Sequence, residues 1–364
     1  MRINFNQLDR AYRKFKPEYD QAAIGVLESG WYILGGKVEK FEQQFAEFIG
    51  SQYCVGLNSG LDALILAFRA LGVGPGDEVI VPANTYIASV LGITENGATP
   101  IFVEPDEFYN LDASKIEEKI TDKTKAILVV HLYGQAANMG KIKEISDSHN
   151  LFLVEDCAQS HGACYEGRMT GSWGDIGCFS YYPTKNVGAF GDAGSIVTDN
   201  KELYEKVRML RNYGSKIKYQ NEILGVNSRL DEIQAALLSV KLSHYQELRE
   251  ERECIAHMYL AAITNPLISL PTIRENADHV WHLFVVRTPD RDRFQSFLQV
   301  NGIGTQVHYP IPPHLSEAYG YLGYKPGDFP ITEHFADTVI SLPLYEGMTD
   351  EEIDYVIEVI NRYE

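Results

Sequence analysis

The stretch Leu151-Phe-Leu-Val-Glu-Asp156-Cys-Ala-Gln159-Ser-His161-Gly162 decides how the chain folds. Four consecutive apolar residues, without the alternation of a half-exposed strand, predict a strand covered on both faces, as in a parallel sheet. Asp156 follows just past that run, at the edge where open α/β sheets hold ligands. An aspartate there also serves as a helix cap or turn residue, so its meaning depends on the rest of the chain.

Similar short apolar runs occur at residues 52–56, 78–81, 99–103, 126–132, 176–180 and 194–198. Amphipathic stretches at 38–49, 61–71 and 141–149 lie between them, and Val38, Phe41, Phe45 and Phe48 share one helical face. This alternation predicts an α/β domain on a mainly parallel, seven-stranded buried sheet, spanning residues 1–240 with the N-terminal segment included. Leu230, Ile233, Leu237, Val240 and Leu242 predict one long connecting helix over 228–248, with Asp231 and Glu232 in its first turn, where the helix dipole favours acids. Residues 241–364 mix helix (250–263), strand (282–286), helix (292–301) and a Pro-rich loop (309–313), which predicts a smaller α+β domain.

Composition narrows the function. A chain of 364 residues is long enough for two domains at roughly 150 residues each. Lys+Arg 32 against Asp+Glu 50 gives a net charge of −18, which repels phosphate backbones and argues against a nucleic-acid partner. Five cysteines, an odd number with no C-x-x-C pair, suggest neither a disulfide framework nor a zinc module; a reducing compartment and no metal site are expected. Residues 1–13 carry charge and amides, and no run approaches the roughly 18 apolar residues of a membrane span. The expectation is a cytoplasmic, unprocessed protein with no membrane partner.

The chemistry concentrates in Gly177-Cys-Phe-Ser180-Tyr-Tyr182-Pro-Thr184-Lys185-Asn-Val-Gly188-Ala-Phe-Gly191-Asp-Ala-Gly194. Pro183 before Lys185 and three glycines after it place this lysine in an irregular loop between two strands. Most lysines are solvent-exposed; one that is desolvated loses basicity and becomes a nucleophile able to form a Schiff base. A strand-end aspartate paired with such a lysine is what pyridoxal phosphate requires: an amine for its aldehyde and a carboxylate for its pyridine nitrogen. The G-x-x-G-x-x-G spacing differs from a dinucleotide fingerprint, and neither a G-x-S-x-G elbow nor an H-E-x-x-H helix is present. His161 reads as a structural or cofactor-adjacent turn residue, and Cys157 as a small hydrophobe.

Seven short motifs, in order and spacing, resemble the DegT/DnrJ/EryC1/StrS family of nucleotide-sugar aminotransferases along nearly the whole chain. They are Ser29-Gly-Trp-Tyr-Ile-Leu-Gly-Gly36 with Phe41-Glu42, Asn58-Ser-Gly60-Leu-Asp-Ala-Leu64, Gly74-Pro-Gly-Asp77-Glu-Val-Ile-Val-Pro82, Glu155-Asp-Cys-Ala-Gln159-Ser-His-Gly162, Ser180 with Lys185, Gly191-Asp-Ala-Gly194 and Asn227-Ser-Arg229-Leu-Asp231. The resemblance implies a fold type I pyridoxal-phosphate enzyme. In it Lys185 is the catalytic lysine and proton shuttle, Asp156 pairs with the pyridinium nitrogen, Gln159 lies near the phenolic oxygen and Tyr86 stacks on the ring. Gly60 and Leu61 offer N–H groups to the phosphate at a helix start, joined by the Ser180 hydroxyl and by Asn227 from a neighbouring subunit. Leu61 stands where the family usually has threonine, so a hydroxyl contact is lost there.

On the substrate side the resemblance implies that Trp31, Tyr32, Tyr181, Tyr182, His308 and Tyr309 line the sugar site. Arg229 either meets a diphosphate or pairs with Asp231. The implied reaction is transamination from L-glutamate, through pyridoxamine phosphate, to a nucleotide-linked keto sugar, in a homodimer with shared active sites. Lys185 disfavours the family's dehydratase branch, which carries histidine at that position. C3 of a dTDP-3-keto-6-deoxyhexose is preferred; the alternatives are C4 amination of a nucleotide-linked 4-keto sugar and a catalytically inactive, cofactor-bound sensor or regulator.

Overall fold

The apolar runs become the strands of one sheet: β1 (Tyr53–Leu57), β2 (Glu78–Pro82), β3 (Thr99–Val103), β4 (Thr124–Val130), β5 (Phe152–Asp156), β6 (Ile176–Ser180) and β7 (Gly194–Thr198). The structure is a computed structural model and describes residues 1–364. Strand order is β1-β7-β6-β5-β4-β2-β3, and β7 alone runs antiparallel to its neighbours. The other six therefore end on one edge, which collects Asn58, Ala83, His131, Asp156 and Ser180.

Helices cover both faces, as the continuous apolar strands require. They are α1 (Leu8–Lys14), α2 (Lys16–Ser29), α3 (Gly36–Ile49), α4 (Gly60–Leu71), α5 (Ile87–Thr94), α6 (Met139–Ser148), α7 (Lys201–Leu210), α8 (Glu232–Ser243) and α9 (Tyr245–Ala262). In α3 the residues Val38, Phe41, Phe45 and Ile49 are buried, at the spacing of a single helical stripe. They pack with Phe179 and Tyr181 on one side of the sheet, while α4 and α5 bury Leu64, Phe68, Val90 and Ile93 on the other.

The single helix expected over 228–248 is two helices. Asp231 is extended (φ −72, ψ 144) and bridges Ile33, so α8 starts only at Glu232. The Glu232 carboxylate accepts the N–H groups of Gly35, Lys37 and Val38 at 2.8–2.9 Å and thereby caps α3. The break at His244 follows from tertiary packing: its imidazole stacks on Phe15 at 3.7 Å and meets Glu18 at 2.9 Å.

Beyond α9 come β8 (Phe284–Arg287), α10 (Arg291–Val300), α11 (Pro330–Thr338), β9 (Val339–Leu342) and α12 (Asp350–Asn361), with β8 and β9 paired antiparallel. Their core of Tyr259, Trp281, Phe284, Phe294, Ile340 and Val356 is separate from that of the large sheet. Ile3 packs into it and bridges Ile303, so the first residues of the chain contribute to this second core. No helix is long and apolar enough to cross a membrane.

Candidate active site

Asp156 closes β5 and is buried. Ser89 on α5 donates its hydroxyl to Asp156 Oδ2 at 2.7 Å, Thr85 lies 2.7 Å from the Ser89 hydroxyl, and the Ala158 N–H meets Oδ1 at 3.1 Å. Burial pushes the Asp156 carboxyl up from its ordinary value, opposed by Ser89, Ala158 and the Lys185 charge. Lys185 answers in kind: burial brings its amine down to about 8, against the pull of Asp156. The two groups predicted to act together thus perturb one another.

Gln159, one turn beyond, accepts the Tyr133 N–H at 2.6 Å and donates to the Tyr309 hydroxyl at 3.0 Å. Tyr309 lies 5.1 Å from the half-exposed ring of Tyr86. Beside it His308 bonds Ser341 at 2.8 Å and takes the Tyr133 hydroxyl on its carbonyl. Burial, with the Lys185 charge adding to it, lowers the His308 imidazole to about 4.

A cradle forms where α4 begins. Ser59 caps the helix by accepting the Asp62 N–H at 3.1 Å. A Cβ on Gly60 would fall 2.5 Å from Ser180 Cβ, and one on Gly194 would fall 2.3 Å from the Ser59 carbonyl. Only glycine permits these approaches, so three chain segments meet at an N-terminus whose free N–H groups and dipole suit an anion.

The remaining expected residues are dispersed. Trp31 and Tyr32 are exposed, with the Trp31 indole bonded to the Ile33 carbonyl at 2.9 Å and resting on Gly35. Tyr182 is exposed beside the lysine loop. Asn227 is exposed and bridges Asn212, while Arg229 bonds Asn212 at 3.2 Å, lies over Tyr213 and forms no ion pair with Asp231. Tyr181 is corrected outright: it is fully buried, its hydroxyl 2.6 Å from Ser195, packed against Phe41 and Phe45, and does not line the site. Side chains alternate across a strand; Tyr181 continues the face of Phe179, and Ser180 the face turned to α4.

Sequence reasoning missed Ser89, whose signal was a lone serine inside the apolar stretch Ile87-Ala-Ser-Val-Leu-Gly-Ile. It also missed the role of Glu155, a carboxylate inside a buried strand. Glu155 accepts the N–H groups of Gly171, Trp173 and Gly174 at 2.7–2.8 Å and lies 3.0 Å from His131, whose other ring nitrogen accepts the Ala137 N–H. His131, Glu155 and Cys157 are close enough to hold an ion, but the first two have spent their lone pairs on N–H groups, which makes them a framework. His161 is buried among Phe45, Phe179 and Tyr181, its imidazole lowered by burial to about 3. A cleft of about 740 Å³ along Phe108, Arg274 and Phe335 shares no residue with this constellation.

Lys185 and Asp156 shift each other's protonation, and a glycine cradle opens at the same sheet edge. Residues 14–361 match the model of the DegT/DnrJ/EryC1/StrS aminotransferase family. The chain belongs to that family. It is an aminotransferase with the fold its members share. It is 53% identical over 362 residues to dTDP-3-amino-3,6-dideoxy-alpha-D-galactopyranose transaminase of Aneurinibacillus thermoaerophilus, covering 99% of both chains. It is 47% identical over 364 residues to dTDP-3-amino-3,4,6-trideoxy-alpha-D-glucose transaminase of Streptomyces venezuelae, covering 100% of this chain and 96% of that one. The crystal structure of S. venezuelae DesV in complex with a ketimine intermediate superposes with a TM-score of 0.97 at 47% identity, covering 99% of this chain and 98% of that one.

Proposed function

We propose that this aminotransferase uses pyridoxal phosphate to move the amino group of L-glutamate to C3 of a dTDP-linked 3-keto-6-deoxyhexose, as a cytoplasmic homodimer. The observation that carries the proposal is Lys185, lowered in basicity and opposed by the buried Asp156, together with the glycine cradle at the start of α4. These residues fit the cofactor: a primary amine of lowered basicity, an enclosed carboxylate, and a helix start that glycines leave open. When bound, pyridoxal phosphate supplies an electron sink for the bond broken beside the transferred nitrogen.

The chain's own groups do the rest. Lys185 Nζ would supply the amine that holds the cofactor and, when free, would move the proton as base and then acid. Asp156 would accept a hydrogen bond from the ring nitrogen, its orientation fixed by Ser89 and Ala158. The N–H groups of Gly60 and Leu61 with the Ser180 hydroxyl would hold the phosphate, Leu61 adding no side-chain hydroxyl. Gln159 and Tyr86 would hold the ring. Trp31, Tyr32, Tyr182, His308, Tyr309 and Arg229 serve the nucleotide sugar.

Amination at C3 is supported by the two relatives, both transaminases of 3-amino sugars. A homodimer completed by Asn227 of the neighbouring subunit is supported by the exposed apolar side chains of Tyr213, Ile217, Tyr219 and Leu224 in the segment leading to that asparagine. The test is an absorbance spectrum of the loaded protein before and after L-glutamate, then with a panel of 3-keto and 4-keto nucleotide sugars. A band near roughly 410 nm moving to roughly 330 nm, values of the cofactor itself, and restored by a dTDP-3-keto sugar alone is expected. Restoration by a 4-keto sugar refutes C3 amination, and indifference to every donor refutes transamination.

A further inference from the structure

Two buried hydroxyls stand in line behind Asp156. Thr85 follows β2 and Ser89 lies in the first turn of α5, and their side-chain oxygens are 2.7 Å apart. Both are buried, at 1% and 0% exposure, in a stretch whose Ala83, Val90 and Ile93 belong to the large core. A hydroxyl without a partner is costly in such surroundings. Thr85 has Ser89 as its one side-chain partner, and Ser89 reaches Asp156 Oδ2 at 2.7 Å.

Each hydroxyl carries one proton, so the line can run in only two directions. With Asp156 ionised, Ser89 donates to the carboxylate, Thr85 donates to Ser89, and both protons have acceptors. With a proton on Oδ2 the order reverses, and the Thr85 hydroxyl has no further acceptor. A proton on Oδ1 instead competes with the Ala158 N–H, which donates there at 3.1 Å. Both carboxylate oxygens thus favour the charged form.

Burial works the other way and raises the Asp156 carboxyl; it is opposed by Ser89 first, then by the Ala158 N–H and by the charges of Lys185 and His131. Cys157, Cys178 and Tyr309, which also feel Asp156, are pushed up by burial and stay neutral. Glu155 faces the other side of the strand, where it accepts the N–H groups of Gly171 and Trp173.

We propose that Thr85 and Ser89 are positioning residues, a relay of two hydroxyls that keeps Asp156 ionised and aimed while the reaction proceeds. The inference rests on the reading of Asp156 as the partner of the cofactor's ring nitrogen. In that reading the Lys185 charge comes and goes as its amine moves protons, whereas the hydroxyl dipoles stay. A carboxylate that remains charged keeps a proton on the ring nitrogen, the condition under which the ring draws electrons.

The probe is pyridoxine 5′-phosphate, which has the ring and phosphate of the cofactor but no aldehyde, so its binding does not depend on Lys185 reacting. Its affinity for the cofactor-free full chain is measured by calorimetry across pH for wild type, Ser89→Ala, Ser89→Thr and Asp156→Asn. The probe's own titrations are common to all four proteins, so differences between profiles report the chain. Ser89→Ala is expected to move the acid-side loss of affinity up by about one to two pH units, the 10- to 100-fold that a hydrogen bond to a charged group is worth. Ser89→Thr, which keeps the hydroxyl, restores the wild-type profile, and in an Asp156→Asn background Ser89→Ala shifts nothing.

An unchanged Ser89→Ala profile overturns the proposal. So does an equal loss of affinity at every pH, the mark of a merely structural role, or a shift that persists without the Asp156 carboxyl. An Asp156→Asn protein that binds the probe as wild type does at every pH refutes the ring-nitrogen reading itself, and the relay falls with it. If Ser89→Ala does not fold, Thr85→Val, which keeps the shape and removes the outer hydroxyl, decides: a smaller shift in the same direction supports the relay, and an unchanged profile overturns it.

Discussion

At the scale of single residues, the proposed site uses an amine that is partly neutral near physiological pH. An ordinary lysine at a pKa near 10.5 is almost wholly protonated there; Lys185, at about 8, is neutral in a useful fraction. The cause is burial, and the opposing Asp156 charge keeps the shift from going further. Differential acetylation of the cofactor-free protein across pH should therefore show Lys185 reacting with a midpoint near 8. Asp156→Asn removes the opposing charge and should move that midpoint lower. A Lys185 midpoint near 10.5 would contradict the desolvation argument. Lys185→Ala should abolish turnover while the protein stays folded, and retained activity would remove Lys185 from the reaction.

At the scale of elements, α8, α9 and the segment after β9 are tied by the Lys241–Arg252–Glu346 trio. Burial alone would raise the Glu346 carboxyl; Arg252 and Lys241 outweigh it and hold it at about 2, below its ordinary 4.5. A depressed carboxylate stabilises the fold fully above its unfolded value, and that contribution is lost as pH falls through the folded one. The trio should thus support the fold above pH 4.5 and fade toward pH 2. Glu346→Gln leaves two buried cations without an anion, which costs about 3–5 kcal/mol. Thermal unfolding of both proteins from pH 7 to pH 2.5 should show Tm values that converge as the carboxyl of the unfolded wild type takes up its proton while the folded one does not; a constant gap would contradict the assignment.

The same scale explains what could be read from sequence. The strands are legible because Leu151–Val154 and its counterparts are apolar without alternation, and Asp156 and Ser180 then fall at their common edge. The break at His244 is not legible, because it comes from Phe15, far away in the chain. Tyr181 was misplaced although its signal was present: two residues after the buried Phe179 in a strand, it had to face the core. Lys241 was hidden by its periodicity, since a lysine between Val240 and Leu242 on a helix reads as a solvated position until the packing of α1 and α9 above it is known.

At the scale of the whole molecule, the question is whether one chain contains a complete site. Asn227 is exposed and bonds to nothing in the cluster around Lys185, yet the proposed function gives it a phosphate contact. Both statements hold together only if a second copy brings its Asn227 to this edge. Mixing subunits tests this directly. The Lys185→Ala and Asn227→Ala proteins should each be strongly impaired. In a mixed dimer with sites shared across a two-fold axis, one site combines both defects and the other combines none. Random mixing makes half the dimers mixed, so activity should recover to about a quarter of wild type, as two-fold symmetry requires. If Asn227 instead serves its own chain, every site in the mixed dimer carries one defect and no recovery occurs. Recovery in verified mixed dimers therefore establishes that the working unit is a pair of chains, and its absence returns Asn227 to the surface of a self-sufficient subunit.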